Sequence, residues 1–85
     1  MNYKIKISRE SKKFLKKLPA PTQKRILKKI IPLEKNPYPS ESKQLKGEDT
    51  LYRIRIGQFR VIYSVESHIL TISIIKIAHR KDVYK

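Results

Sequence analysis

The segment LYRIRIGQFRVIY at residues 51–63 constrains the fold most, because apolar side chains recur there at every second position. A period of two is typical of a strand with one buried face, and Gly57-Gln58 between two such runs predicts a tight hairpin turn. The apolar residues of the two runs are Tyr52, Ile54, Ile56, Phe59, Val61, Tyr63 and Val65. If they face the core, Arg53, Arg55 and Arg60 share the opposite face of the sheet.

The first part of the chain predicts a strand followed by two helices. Residues 3–7 alternate and indicate a strand, after which Ser8 stands at a helix N-cap position before a helical pattern that runs to Leu18. A second helical pattern covers residues 21–35 and begins with a proline, which suits the first position of a helix. Pro32 lacks the N–H that this helix needs, so it should kink or end it.

The remaining segments complete an α+β fold. Residues 36–42 are rich in proline and serine and predict a connector, and KGED at residues 46–49 predicts a second turn. Residues 68–78 predict a last, central strand. We therefore expect an N-terminal strand, two helices and a three-stranded antiparallel meander, with both helices on one face of the sheet. A length of 85 residues predicts one domain covering residues 1–85.

Charge and composition narrow the class of partner. The chain has 21 Lys and Arg against 7 Asp and Glu, a formal net charge of +14, which favours an anionic partner such as nucleic acid. Without cysteine, a signal peptide or a long apolar run, the sequence predicts a soluble cytoplasmic protein that does not enter a membrane. Two histidines without thiolates do not suit a metal site, so neither a metal nor a cofactor is predicted.

Some side chains are candidates for chemistry on an anion. Arg53, Arg55 and Arg60 would form a forked donor array suited to phosphate oxygens, and so few carboxylates make an ordinary salt-bridged surface less favoured. His79 could transfer protons near neutral pH, or be an ordinary surface histidine. Tyr84 could stack on an RNA base, or pack to hold the C-terminus.

The second half of the chain resembles a known family. QLKG at residues 44–47, LYRIRIGQFRVIY at 51–63 and IAHRKDVYK at 77–85 occur in the order and spacing of the RelE/ParE superfamily of type II toxins, and are most similar to its RelE branch. The resemblance implies an mRNA interferase: a metal-independent endoribonuclease that cuts mRNA in the ribosomal A site. Attack of the ribose 2′-OH on the adjacent phosphate would leave a 2′,3′-cyclic phosphate and a 5′-hydroxyl.

The resemblance also implies roles for particular residues. Residues that match the family's catalytic positions are Arg53, Arg55, Arg60, Arg80 and Tyr84, and His79 is added as a proton-transfer candidate. Lysines predicted to bind RNA are Lys43, Lys46 and Lys81. The family often has lysine at both second-strand positions, and an arginine there can hardly serve as a general base.

The implied partners are mRNA, the ribosome and an acidic, RelB-like antitoxin. Three alternatives remain open. The chain could belong to the ParE branch, which poisons DNA gyrase and cleaves no RNA. It could be a non-catalytic basic module that binds RNA or ribosomes, or a toxin that keeps the fold and has lost its activity.

Overall fold

The computed structural model describes residues 2–47 and 49–80. Its elements in chain order are β1 (Lys4–Ile7), α1 (Arg9–Lys16), α2 (Ala20–Ile30), a 3-10 helix (Ile31–Glu34), β2 (Ser42–Gln44), β3 (Leu51–Ile56), β4 (Phe59–Glu66), a second 3-10 helix (Ser67–Ile69) and β5 (Thr71–His79). No helix within these residues is long and apolar enough to cross a membrane.

The strands form one mixed sheet in the order β1-β5-β4-β3-β2. β1 pairs with β5 in parallel, and the other neighbours are antiparallel. The predicted α+β architecture is confirmed, including the hairpin, in which Ile56 pairs with Phe59 across a two-residue turn. Gly57 opens that turn with a φ of 60°, and glycine is the usual residue at the first central position of a type II′ turn.

The predicted number of strands was wrong, because the sheet has five and the sequence indicated four. The additional strand is β2, whose three residues, Ser-Lys-Gln, carry no apolar alternation. It is held by pairing: Ser42 lies opposite Ile54, and the backbone N–H of Leu45 donates to the carbonyl of Leu51 at 2.8 Å. A strand this short is specified by its neighbour more than by its own side chains.

Capping residues and prolines set the helix boundaries. The Ser8 hydroxyl caps α1 by accepting a hydrogen bond from the backbone N–H of Ser11 at 3.1 Å. The second helix, predicted over residues 21–35, ends its α-helical part at Ile30 and continues as a 3-10 helix containing Pro32. The helix boundary thus reflects the missing N–H of that proline.

The core lies between the helices and one face of the sheet. Its fully buried side chains include Ile26 and Ile30 of α2 and Val61 and Tyr63 of β4. The apolar side chains predicted to face the core all contribute to this face: Tyr52, Ile54, Ile56, Phe59, Val61, Tyr63 and Val65. The opposite face of the sheet carries no helix of the described chain.

Candidate functional site

All seven lysines and arginines of the five strands lie on the face of the sheet opposite the helices. Cross-strand partners share a face, so the register places these side chains together, with core-facing residues alternating between them. We call this surface the basic face; its cationic residues are Lys4, Lys6, Lys43, Arg53, Arg55, Arg60 and Lys76. The strands carry one carboxylate, Glu66, at the end of β4. The five strands therefore place seven cationic side chains and one carboxylate on this face.

The three arginines of the hairpin are neighbours on the basic face, as predicted. Arg55 lies directly opposite Arg60 in the β3–β4 register, and Arg53 is two residues from Arg55 on the same strand. Their exposure differs: Arg55 is exposed, Arg53 half-buried and Arg60 only 7% exposed. Each has an interaction within the chain. A buried arginine loses side-chain freedom, so Arg60 is the most rigidly placed cation of the three.

Of the other predicted site residues, the structure describes Lys43, Lys46 and Arg80. Lys43 lies opposite Arg53 and adds a cation from β2, whereas Lys46 is exposed beyond the end of that strand. Arg80 follows the last strand, and its backbone N–H donates to the carbonyl of Gln58 at 2.8 Å. This bond fixes the Arg80 backbone beside the hairpin turn. Lys81 and Tyr84 lie outside the described residues.

His79 is not brought together with the arginines. It pairs with Phe59, whose side chain faces the helices, and the two ring centroids are 4.8 Å apart. Phe14 of α1 packs edge-on against both rings, at 5.9 Å from His79 and 6.1 Å from Phe59. The imidazole is therefore part of an aromatic cluster on the helical side of the sheet.

A β-bulge in β5 explains the position of His79 and reveals a residue that sequence reasoning missed. Ile62 pairs with Lys76 but Tyr63 pairs with Ile74, so Ile75 is an extra residue. If the side chains alternated regularly after Ile74, with no bulge, Lys76 would face the core and His79 would face the basic face. The signal in the sequence was the break in alternation at Ile74-Ile75.

A cleft of about 490 Å³ lies on the helical side of the molecule. It runs between α2 and the connector after the first 3-10 helix, and the Lys29 ammonium pairs with the Glu41 carboxylate at 3.1 Å beside it. That hydrogen bond lowers the pKa of Glu41. The cleft contains none of the predicted site residues. Among residues 2–47 and 49–80, no three His, Asp or Glu side chains are grouped to hold a metal ion.

Comparison with known proteins identifies the family of the chain. The family model described as the ParE toxin of the type II toxin–antitoxin system, parDE, matches residues 5–84. The protein named RelE1 from Methanocaldococcus jannaschii is 41% identical over 88 residues, which cover 100% of this chain and 98% of that protein.

Solved structures provide the same assignment. The archaeal RelE–RelB complex from Pyrococcus horikoshii has a chain that superposes with a TM-score of 0.84 at 38% identity, covering 94% of this chain and 97% of that one. The isolated RelE toxin of E. coli shares the fold, with a TM-score of 0.80 at 21% identity and coverage of 96% and 90%. The chain therefore belongs to the RelE/ParE superfamily of type II toxin–antitoxin toxins.

Proposed function

We propose that this toxin is a ribosome-dependent endoribonuclease that cuts mRNA in the A site. The observation that carries the proposal is the convergence of Arg53, Arg55 and Arg60 on one face of the sheet, with Arg80 fixed beside the same hairpin turn. Guanidinium groups present paired N–H donors to phosphate oxygens, and four of them around one hairpin suit a polyanionic substrate.

The proposed reaction uses the RNA's own nucleophile. The ribose 2′-oxygen attacks the adjacent phosphorus, the bond from phosphorus to the 5′-oxygen breaks, and the products are a 2′,3′-cyclic phosphate and a 5′-hydroxyl. The 2′-OH loses a proton and the leaving oxygen gains one, so no net proton is consumed. Charge builds on the phosphate during this step, and preorganised cations stabilise that charge.

Burial distinguishes the contribution of Arg60 from that of Arg55. Arg60 is held in place in the ground state, so little reorganisation is needed to meet the pentacoordinate phosphate. Arg55 is exposed and can follow a neighbouring phosphate of the bound strand. We assign Arg60 and Arg80 to the scissile phosphate, and Arg53 and Arg55 to flanking phosphates or the leaving oxygen.

We do not assign proton transfer to His79. Its imidazole packs against Phe59 and Phe14 on the helical face, so the sheet separates it from the arginines. Tyr84 remains the candidate that orients the ribose or stacks on a base. Arginine in general does not lose its proton in proteins, so the two arginines of β3 suit charge stabilisation and do not suit the role of general base.

An acidic antitoxin is the proposed protein partner. The solved relative from Pyrococcus horikoshii is a RelE–RelB complex, and this chain is 38% identical to the matched chain. A net charge of +14 would attract an acidic segment, and binding there would neutralise the surface that RNA uses.

The first test is cleavage on programmed ribosomes. Purified protein is incubated with ribosomes that carry a defined codon in the A site, and cut ends are mapped by primer extension. We expect cuts within that codon for the wild type and a rate about 100- to 1,000-fold lower for Arg60→Ala, since one charge-stabilising donor is lost. Unchanged cleavage in both Arg60→Ala and Arg80→Ala would contradict the proposed site.

Matched controls separate charge from folding. Arg60 is buried, so its replacement could unfold the chain; the exposed Arg55→Ala provides a second variant whose thermal melting should match the wild type. Arg9→Ala removes the same charge from the exposed start of α1 on the helical side, and we expect it to cut at the wild-type rate.

Gyrase poisoning is the second candidate, because the matching family model is described as the ParE toxin. A toxin of that kind would cause DNA gyrase to accumulate cleaved plasmid and would leave ribosome-bound mRNA intact. Supercoiled plasmid incubated with gyrase and this protein tests it. The cluster of arginines favours RNA cleavage, since a gyrase inhibitor has no evident need for a phosphate-binding face.

A further inference from the structure

The bulge at Ile75 turns a lysine outward in the middle of the basic face. Ile72 and Ile74 are fully buried and Ile77 is buried, so the core-facing positions change from even to odd numbers across the bulge. Lys76 is exposed as a result. Bulges often re-aim a side chain next to a functional site.

The start of α1 holds the bulge in place. The Ser8 hydroxyl, which caps that helix, also donates to the carbonyl of Ile75 at 3.0 Å. The backbone N–H of Ser8 donates to the carbonyl of Ile74 at 3.0 Å. Two hydrogen bonds from one residue thus tie the irregular part of β5 to the helical layer, so the orientation of the following lysine is built into the fold.

Register places this lysine beside the proposed catalytic group. Lys76, Ile62, Arg53 and Lys43 form one row across four strands, which spans roughly 14 Å at about 4.8 Å per strand. Arg60 pairs with Ala78, so Lys76 is its diagonal neighbour, with Cα atoms about 7–8 Å apart. A lysine side chain can cover that distance.

We propose that Lys76 binds an RNA phosphate adjacent to the one at Arg60, so that the substrate strand crosses the sheet from β2 to β5. The inference rests on the proposed function and extends its site by one strand. Lysine provides a compact charge on a flexible stem, which suits a flanking phosphate whose position varies with sequence. Lys76 is thus an RNA-binding residue that determines the path of the strand, and it takes no part in bond breaking.

Salt-dependent binding tests the inference apart from cleavage. The probe is a ten-nucleotide 2′-O-methyl oligoribonucleotide, which lacks the attacking hydroxyl and stays intact. Each phosphate contact to a single strand contributes about −0.7 to the slope of log K against log salt. Lys76→Gln should therefore make the slope less negative by about 0.7. The loss of affinity relative to the wild type should then be about fivefold greater at 0.1 M NaCl than at 1 M NaCl. Lys76→Arg should retain the wild-type slope.

A matched control and a cleavage assay make the outcomes distinct. Lys35→Gln removes the same charge from the exposed end of the first 3-10 helix and should leave the slope unchanged. On programmed ribosomes, Lys76→Gln should raise the concentration for half-maximal cleavage and leave the maximal rate within about twofold. If the wild type cuts mRNA and Lys76→Gln has the same slope as Lys35→Gln, the inference is wrong and the proposed function stands.

Two other results would also overturn it. If Lys76→Gln weakens only the binding of an acidic antitoxin peptide, the lysine belongs to the protein interface. If the wild type cuts no ribosome-bound mRNA, the proposed function itself fails, and Lys76 loses the role inferred from it.

Discussion

Gly57 is the residue on which the turn of the β3–β4 hairpin depends. Its φ of 60° lies in the left-handed region, which costs other residues about 1–2 kcal/mol. A Cβ atom would also lie 2.7 Å from Nη2 of Arg25. That guanidinium is the far end of a flexible side chain, so it can move aside. We expect Gly57→Ala to lower the free energy of unfolding by about 1–2 kcal/mol, measured by urea denaturation.

A double mutant separates the two contributions. In an Arg25→Ala background the contact is removed and only the backbone cost remains. We therefore expect Gly57→Ala to lower the free energy of unfolding by the same amount in both backgrounds, to within about 0.5 kcal/mol, because the Arg25 side chain can move away from the new methyl group. A much smaller cost without Arg25 would show that the contact, rather than the φ angle, requires glycine.

Residue-scale prediction from the sequence succeeded where alternation was regular. Arg53 and Arg55 could be placed on one face because period two is unbroken along β3. It failed beyond Ile75, because a bulge inserts one residue and reverses every later side chain. His79 therefore lies against Phe59, and Lys76 was overlooked. The roles of all these residues stay predictions until the variants are assayed.

At the scale of elements, one hydrogen bond anchors the connector that precedes β2. The Tyr63 hydroxyl, in a fully buried side chain of β4, donates to the carbonyl of Pro37 at 2.8 Å. The Tyr52 ring stacks on Tyr63, with ring centroids 5.9 Å apart, and contacts the tilted ring of Tyr38 on its other side at 5.1 Å. This stack covers the helical side of the hairpin. The sequence predicted the connector but could not show how it is held, since no local pattern encodes a contact between residues 26 positions apart.

Tyr63→Phe tests this anchor by its pH dependence. Burial raises the pKa of the Tyr63 phenol above its usual value near 10, so the folded state favours the protonated form. The contribution of the protonated phenol to the free energy of unfolding is complete below pH 10 and is lost as the pH rises through the raised pKa. At pH 7 we expect Tyr63→Phe to lower the free energy of unfolding by about 1 kcal/mol through the lost hydrogen bond.

The difference in the free energy of unfolding between the wild type and Tyr63→Phe should become smaller above pH 10, because only the wild type loses this stabilisation there. Urea denaturation at intervals from pH 7 to 11 measures both curves. Curves that stay parallel over this range would show that the buried phenol does not titrate with folding.

The whole molecule carries a net positive charge that opposes compaction. A net charge of +14 on a body with a radius of gyration of 12.2 Å creates repulsion over distances comparable with the screening length of about 10 Å at 0.1 M salt. On α1 the exposed Lys12 and Lys16 are four residues apart, where like charges repel. In the proposed function the same charge attracts RNA, so salt should act on folding and on binding in opposite directions.

This opposition gives a prediction for the intact protein. Raising NaCl from 0.05 to 0.5 M should raise the melting temperature, because screening weakens the repulsion. Over the same range, contacts to about four phosphates would lower RNA affinity about 600-fold, since each contributes about −0.7 to the logarithmic slope. Both quantities can be measured on one preparation, by thermal unfolding and by binding of the 2′-O-methyl oligonucleotide.

A variant with fewer charges on the helical side separates the two effects. Replacing Lys12, Lys13 and Lys16 by glutamine lowers the formal net charge from +14 to +11 and leaves the basic face intact. Its melting temperature should rise less with NaCl than that of the wild type. The slope of log K against log salt for RNA binding should equal the wild-type slope. A reduced slope in this variant would mean that RNA also binds the helical layer, and that the basic face of the sheet is only part of the surface used for recognition.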